Sequence, residues 1–436
     1  MKIIPLERYR PQEQAMDLEE TRRTVAAIID AVRRQGDAAL RRFSGRYDRV
    51  VPPRFRVEAD EIAAALQGCP GDLRRAMVLA AKNLRCFARR QKKQCADFTL
   101  PICAGVTAGQ RLLPIERVGV YVPGGRFPLF SSLLMAAVPA RVAGVREIAV
   151  FSPPGAGGRV AAPVLAAAGL LGLEEVYALG GAQAIAAMAY GCESVPAVDK
   201  IVGPGNAYVN LAKLAVFGKV GIDLPAGPSE IVILADGSAR PGVLAADLLA
   251  QAEHDPQAVA LLVTTCGKLA GSVRAQVRRQ LRQLPPASPA RDSMKKHGAI
   301  LLAPALEKAV DFINRLAPEH LELQVKEPER WARRCTAFGS LFIGSLAAEA
   351  LGDYSSGLNH VLPTAGAARF SAGLSVRDFL RLATTLRVSA AGLRCIGPAA
   401  RRLAEAENLS AHARSLDKRL QAPGVRHPDS GKFSRR

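Results

Sequence analysis

Cysteine is sparse and scattered. The eight in this 436-residue chain (Cys69, Cys86, Cys95, Cys103, Cys192, Cys266, Cys335 and Cys395) include no CxxC pair. That excludes a disulfide framework, argues against a thiolate zinc site, and leaves reduced structural thiols as the expectation. Long apolar runs are also missing. The longest, 160–173, contains Pro163 and stops at Glu174-Glu175, short of the roughly 18 residues needed to span a bilayer. The start, Met1-Lys2-Ile3-Ile4-Pro5-Leu6-Glu7, has no secretory apolar core. A cytoplasmic protein with no membrane partner is expected. Aromatics make up only 5% of residues, so stacking platforms for single-stranded nucleic acid are few. Acidic residues are outnumbered, 39 against 59 lysines and arginines, for a net charge of +20. Such a balance is the footprint of a nucleic-acid binder. Here, however, the basic pairs Arg74-Arg75, Arg89-Arg90, Lys92-Lys93, Arg278-Arg279, Arg333-Arg334 and Arg401-Arg402 fall in separate segments. They read as solvated helix faces, and no nucleic-acid partner is expected.

What is present is a globular composition, 49% apolar and 22% charged, with length for about three domains. Leu18, Thr21, Val25, Ile28, Ile29 and Val32 keep the i, i+3/i+4 rhythm of an amphipathic helix, punctuated at Gly36-Asp37. Residues 58–94 hold two more helical patterns broken at Pro70-Gly71-Asp72. The segment 1–105 therefore reads as an all-helical module. From 117 the pattern alternates: short apolar runs at 117–122, 147–151, 175–178 and 199–202 are separated by helical stretches at 131–143, 160–172 and 182–190, with another after 206. A second series follows, with strands at 231–235, 258–264 and 299–302 and helices at 242–254, 268–283 and 304–315. Strands alternating with such helices predict βαβ units on parallel sheets. The fold class is thus α/β, with two Rossmann-like doubly wound lobes at 106–228 and 229–374, the second larger. A helical C-terminal arm at 375–422 and a disordered basic tail at 423–436 complete the division.

Histidine is rare, six in all, and four of the six sit beside groups able to build a site. In Gln251-Ala252-Glu253-His254 the first and last residues share a helix face; a solvated helix end is the bland alternative. Glu319-His320 joins a carboxylate to an imidazole, both proton-transfer groups near neutral pH, although sequence neighbours usually diverge and a polar loop would look the same. Gly352-Asp353-Tyr354-Ser355-Ser356-Gly357-Leu358-Asn359-His360 is a Gly-flanked polar loop after the strand-like run 341–343; such loops on rigid scaffolds carry binding sites or are plain surface turns. Glu407 and His412 lie late in a helical stretch, where a histidine near a helix C-terminus gains from the dipole alone. The Gly-rich turns suggest a phosphate-bearing ligand at helix N-termini. Gly203-Pro204-Gly205-Asn206-Ala207-Tyr208 nevertheless lacks the third glycine of a dinucleotide fingerprint.

The sequence resembles the histidinol dehydrogenase family from about residue 15 to 420. The resemblance rests on long motifs: Val118-Gly119-Val120-Tyr121-Val122-Pro123-Gly124-Gly125, Gly180-Gly181-Ala182-Gln183-Ala184-Ile185-Ala186, Lys200-Ile201-Val202-Gly203-Pro204-Gly205-Asn206-Ala207 and Pro225-Ala226-Gly227-Pro228-Ser229-Glu230. It continues through Gln251-Ala252-Glu253-His254, Pro318-Glu319-His320-Leu321 and Gly352-Asp353 to Pro363-Thr364. The resemblance implies one zinc held by Gln251, His254, Asp353 and His412. It implies a catalytic acid–base pair, Glu319 and His320. Substrate contacts would fall on Ser229, Gln251, His254, His320, Asp353, His360, Glu407 and His412, and NAD contacts on Tyr121, Gln183 and Asn206. It further implies an intertwined homodimer whose C-terminal arms would bring Glu407 and His412 to the partner's site. In this reading His320 takes the alcohol proton and Glu319 activates water, over two NAD-linked oxidations. Arg126-Phe127 depart from the smaller residues expected near the cofactor turn. A zinc dehydrogenase of the same family acting on another polar alcohol is an open alternative, though Glu349, Glu407 and His360 suit a cationic imidazole substrate. A basic nucleic-acid-binding protein and a zinc hydrolase are the alternatives from other classes.

Overall fold

The architecture was taken from a computed structural model that describes residues 1–11, 18–124, 127–225 and 227–425. Arg126 and the tail beyond residue 425 lie outside the described residues. The strands are β1 (Lys2–Pro5), β2 (Phe98–Cys103), β3 (Val106–Pro114), β4 (Arg117–Tyr121), β5 (Glu147–Ser152), β6 (Val176–Ala178) and β7 (Lys200–Val202). After them come β8 (Gly221–Ile222), β9 (Glu230–Ala235), β10 (Val259–Thr264), β11 (Ala299–Leu302), β12 (His320–Gln324), β13 (Ser340–Ile343) and β14 (Leu380–Val388).

Two wholly parallel sheets form the larger unit, residues 1–91 and 115–379. The first runs β6-β5-β4-β7-β8 and the second β1-β11-β10-β9-β12-β13. From the first strand of each lobe, β4 or β9, the chain winds outward one way through two strands and then returns to wind the other way. This is the doubly wound order, with switch points between β4 and β7 and between β9 and β12. The strands read as near-continuous apolar runs because both faces of a parallel sheet are covered. Ile231, Ile233 and Leu262 pack against Leu244, Leu248 and Val273 on one face. Val232, Leu234, Leu321 and Leu323 pack against Val310, Ile313 and Trp331 on the other.

The expectation of an all-helical segment 1–105 is corrected by the strands at both its ends. Lys2–Pro5 adds a parallel edge strand to the second sheet, and Phe98–Cys103 pairs antiparallel with β3. A four-residue edge strand is too short to show a period. The helix Leu18–Phe43, kinked at Gly36 (φ 50°), does form, and its Val25, Ile28 and Val32 are built into the core of the first lobe beside Tyr121, Phe151 and Ile185.

The smaller unit comprises residues 92–114 and the chain from 380 onward. Its sheet has the order β14-β3-β2, antiparallel throughout, and two helices follow, Ala390–Ala406 and Ser410–Leu420. The expectation of helix from 375 is corrected over Leu380–Val388. There Leu380, Leu382, Leu386 and Val388 alternate with Arg381, Ala383, Thr385 and Arg387, a period of two that pairs with β3 along nine residues.

Candidate active site and metal centre

In strand β12, His-Leu-Glu-Leu-Gln, the alternation puts Leu321 and Leu323 into the core on one face. His320, Glu322 and Gln324 therefore project from the opposite face, toward the helix Pro241–Ala252 that packs on Ile231 and Ile233. All three are buried. Two helices run back along this face. Pro241–Ala252 delivers Gln251 in its last turn, with His254 just beyond. Glu349–Tyr354 delivers Glu349 and Asp353. The site lies at the amino end of the second sheet's switch point, the opposite end from the usual ligand crevice.

Distances at the site are short. His254 Nε2 lies 3.6 Å from Asp353 Oδ2, and Gln251 Nε2 lies 3.3 Å from His254 Nδ1. His320 Nε2 is 3.8 Å from both Glu349 Oε1 and Asp353 Oδ1. His320 Nδ1 stands 3.2 Å from the Glu230 carbonyl and 3.7 Å from Glu319 Oε2. Glu319, one residue before the strand, accepts the Glu230 N–H at 2.8 Å. The neighbours Glu319 and His320 do converge, held by the backbone of Glu230. His360 Nδ1 meets the Asp353 carbonyl at 2.9 Å, and its Nε2 meets Ser132 Oγ at 3.1 Å.

The charge balance is lopsided. Glu319, Glu322, Glu349 and Asp353 are all buried, and among the described residues no lysine or arginine pairs with any of them. Burial raises the Glu319 carboxyl well above the usual range. Burial, with Asp353 adding to it, pushes Glu349 up to about 10. Burial pushes Glu230 to about 7. The same burial, partly offset by Asp353, lowers His320 to about 4, so its imidazole is neutral at physiological pH. A cation bound among these carboxyl groups would favour their ionised form.

The donors suit a divalent ion. Gln251 Oε1 is buried and has no hydrogen-bond partner within the protein, an expensive state for an amide oxygen that a metal would relieve. With His254 and Asp353 it makes the N/O donor set zinc accepts. His320, Glu349 and Asp353 form a second grouping compact enough for an ion; it shares Asp353 with the first.

The other expected residues fall as follows. Ser229 immediately precedes β9, beside Glu230. Tyr121 ends β4, and its hydroxyl accepts the Gly181 N–H at 3.1 Å. Gln183 is buried in the helix after β6, 3.5 Å from Asp48 Oδ2. Asn206 caps the helix after β7, accepting from Val209 N at 3.1 Å. These three gather at the carboxyl ends of β4, β6 and β7. There Gly203 adopts φ 114°, and any Cβ would fall 2.1 Å from the Tyr121 carbonyl oxygen. The turn is braced from below by buried Lys213, which pairs with Asp223 and donates to the Gly203 carbonyl at 3.0 Å. Switch points of this kind, with backbone N–H groups at helix starts, are where doubly wound sheets usually bind dinucleotides. Glu407 and His412 are exposed in the smaller unit, at the cap ending one helix and in the first turn of the last. The expected helix C-terminus for His412 is therefore corrected to an N-terminus, because Asn408 (φ 59°) breaks the stretch in two.

The profile of the histidinol dehydrogenase family matches residues 11–420. The chain belongs to this family. It is 48% identical over 400 residues to the histidinol dehydrogenase of Gluconobacter oxydans, covering 91% of this chain and 92% of that one. Against the enzyme of Methanothermobacter thermautotrophicus the identity is 44% over 425 residues, covering 97% and 99%. A crystal structure of histidinol dehydrogenase from Elizabethkingia anophelis superposes with a TM-score of 0.88 at 38% identity, covering 96% of this chain and 97% of that chain. Membership makes the protein an NAD-linked oxidoreductase. No helix among the described residues is long and apolar enough to cross a membrane.

Sequence reasoning missed Glu230, Glu322 and Ser132 as parts of the site. The available signal was in His-Leu-Glu-Leu-Gln itself: a period-two polar face on a strand that a parallel sheet buries on both sides.

Proposed function

We propose that the chain oxidises L-histidinol through the aldehyde to L-histidine, in two NAD-linked steps on a zinc-dependent site, as the last step of histidine biosynthesis. The observation that carries this reading is the meeting of Gln251, His254 and Asp353 beside the Glu319–His320 pair. Zinc, when bound, supplies a template that orients the imidazole and amine nitrogens of the substrate. NAD+ supplies the hydride acceptor. Gln251 Oε1, His254 Nε2 and an Asp353 oxygen would hold the metal. His412 would be the fourth ligand, and Glu407, with His360 and Ser229, would contact the cationic substrate.

Neutral His320 accepts the alcohol proton at an imidazole nitrogen, and burial keeps it neutral for that task. The Glu230 carbonyl beside Nδ1 orients the ring. Glu319, aimed by the Glu230 N–H, takes a proton from the water that adds to the aldehyde. Its carboxyl must first ionise, and the positive charge of metal and substrate favours that. Tyr121, Gln183 and Asn206 would hold NAD in the first lobe.

The division into a helical N-terminal segment, a cofactor lobe, a zinc lobe and an exchanged C-terminal arm is part of the proposal, as is a homodimer. The smaller unit supports it: Leu100, Ile102, Leu382, Leu386 and Leu403 are exposed there, an apolar area of the kind an obligate partner covers. A cytoplasmic location follows from the biosynthetic role. The test is purified protein with L-histidinol and NAD+, with and without a chelator. Two NADH per histidinol, lost on chelation and restored by zinc, is the expected result. One NADH, or turnover indifferent to chelation, would contradict the reading.

A further inference from the structure

Beneath the proposed metal ligands lies a layer of carboxyl groups that the chemistry above does not use. Glu322 is fully buried, and its Oε1 accepts the N–H of Glu349 at 2.9 Å. That N–H opens the helix Glu349–Tyr354, whose own cap position, Ala348, has no side chain able to serve it. An orphan N–H at a buried helix start needs an acceptor, and Glu322 reaches across from the neighbouring strand to provide it. The helix has six residues, too few to persist without external anchors. Asp353, on its last turn, depends on those anchors for its position.

The second oxygen of Glu322 faces a second carboxyl group. Glu322 Oε2 and Asp247 Oδ2 are both buried oxygens without a regular hydrogen-bond partner, although the neighbouring Gln324 side chain also acts on the Glu322 carboxyl and lowers its pKa. The two groups face each other closely enough for each to bear on the other's protonation. Two facing carboxyl groups in such a place satisfy one another by holding a proton between them. Consistent with this, burial, with Asp247 adding to it, pushes Glu322 up to about 8, and burial pushes Asp247 to about 6. Asp247 stands four residues before Gln251 on the helix Pro241–Ala252, one turn away on the same face. A chain of contacts thus runs from the helix of Gln251, through the strand of His320, to the helix of Asp353.

We propose that Glu322, tied to Asp247, is a positioning residue that sets Asp353 in register with Gln251 and His254 and so sets zinc affinity. The inference rests on the metal site proposed above.

The test is zinc affinity by competition with a chromophoric chelator, measured on the full-length protein and its E322Q, E322L, D247L and D353N variants. Melting of the metal-free proteins serves as a control for folding. E322Q keeps the acceptor for Glu349 and offers Asp247 an N–H, so its zinc affinity stays within about threefold of the parent. E322L loses both contacts and should bind zinc about 10–100-fold more weakly, the usual effect of removing a partner behind a metal ligand. Should E322L not fold, D247L tests the same link, with a loss in the same direction. Parental zinc affinity in E322L, or in D247L where that is the variant available, would overturn the proposal provided D353N has lost affinity. If D353N also binds zinc as the parent does, the metal site itself is wrong and the positioning role falls with it.

Discussion

Replacing His320 with alanine removes the one neutral base that the structure places between Glu319 and Asp353. Burial holds its pKa at about 4, so at pH 7 all but about one imidazole in a thousand is free to take a proton. A positioned general base contributes roughly 10²–10⁴-fold, or about 2.7–5.5 kcal/mol of barrier. The alcohol step should slow by that amount in His320→Ala. Stopped-flow NADH absorbance in a single turnover isolates this step. The parent should lose rate as pH falls toward about 4. Melting curves will show whether the fold survives. A rate within a few fold of the parent in a folded, zinc-loaded variant would refute the role of His320.

Other substitutions separate the remaining roles. Glu319→Gln should leave aldehyde formation nearly intact and slow acid formation at least about 10²-fold; failure of the first step in rapid-quench assays would reverse the division of labour. His254→Ala should lose its metal, and full zinc occupancy by elemental analysis after dialysis would remove His254 from the ligand set. Metal-free protein should lose stability as pH rises. Glu230, Glu322 and Glu349 are held protonated by burial to about 7, 8 and 10, but ionise near 4.5 once unfolded. A folded pKa above the unfolded one gives stability that is full below the unfolded value and fades as pH climbs through the folded values. The melting temperature of metal-free protein should therefore fall between about pH 5 and 9, and a rise over that range would count against these environments.

Much of the fold was legible because parallel strands and their crossover helices impose simple periods on the sequence. Glu147–Ser152, Val259–Thr264 and Ala299–Leu302 read as apolar runs and are strands. The leucines, arginines and alanine of Leu380–Val388 are good helix formers, yet pairing with Val106–Pro114 decides its state. Local propensity yields to a partner found more than 250 residues away. The site was legible in pieces. Gln251 and His254 share a helix end, and Glu319 and His320 are adjacent, so spacing could suggest each pair. Nothing in spacing brings Asp353 to His254 across about a hundred residues; the crossing of two helices on one sheet face does that. Glu322 and Asp247 were invisible for a different reason. A carboxylate in sequence looks like solvent-facing polarity, and only the covered sheet shows that Glu322 is fully buried and Asp247 half-buried.

Two overlapping donor groups could receive the metal, one around Gln251, His254 and Asp353 and one around His320, Glu349 and Asp353. Crystals grown with zinc and measured on both sides of the zinc absorption edge would locate the ion directly. One anomalous peak is expected about 2.0–2.2 Å from Gln251 Oε1, His254 Nε2 and an Asp353 oxygen, with His320 outside the coordination sphere. A peak centred instead on His320, Glu349 and Asp353, with Gln251 and His254 unengaged, would contradict it.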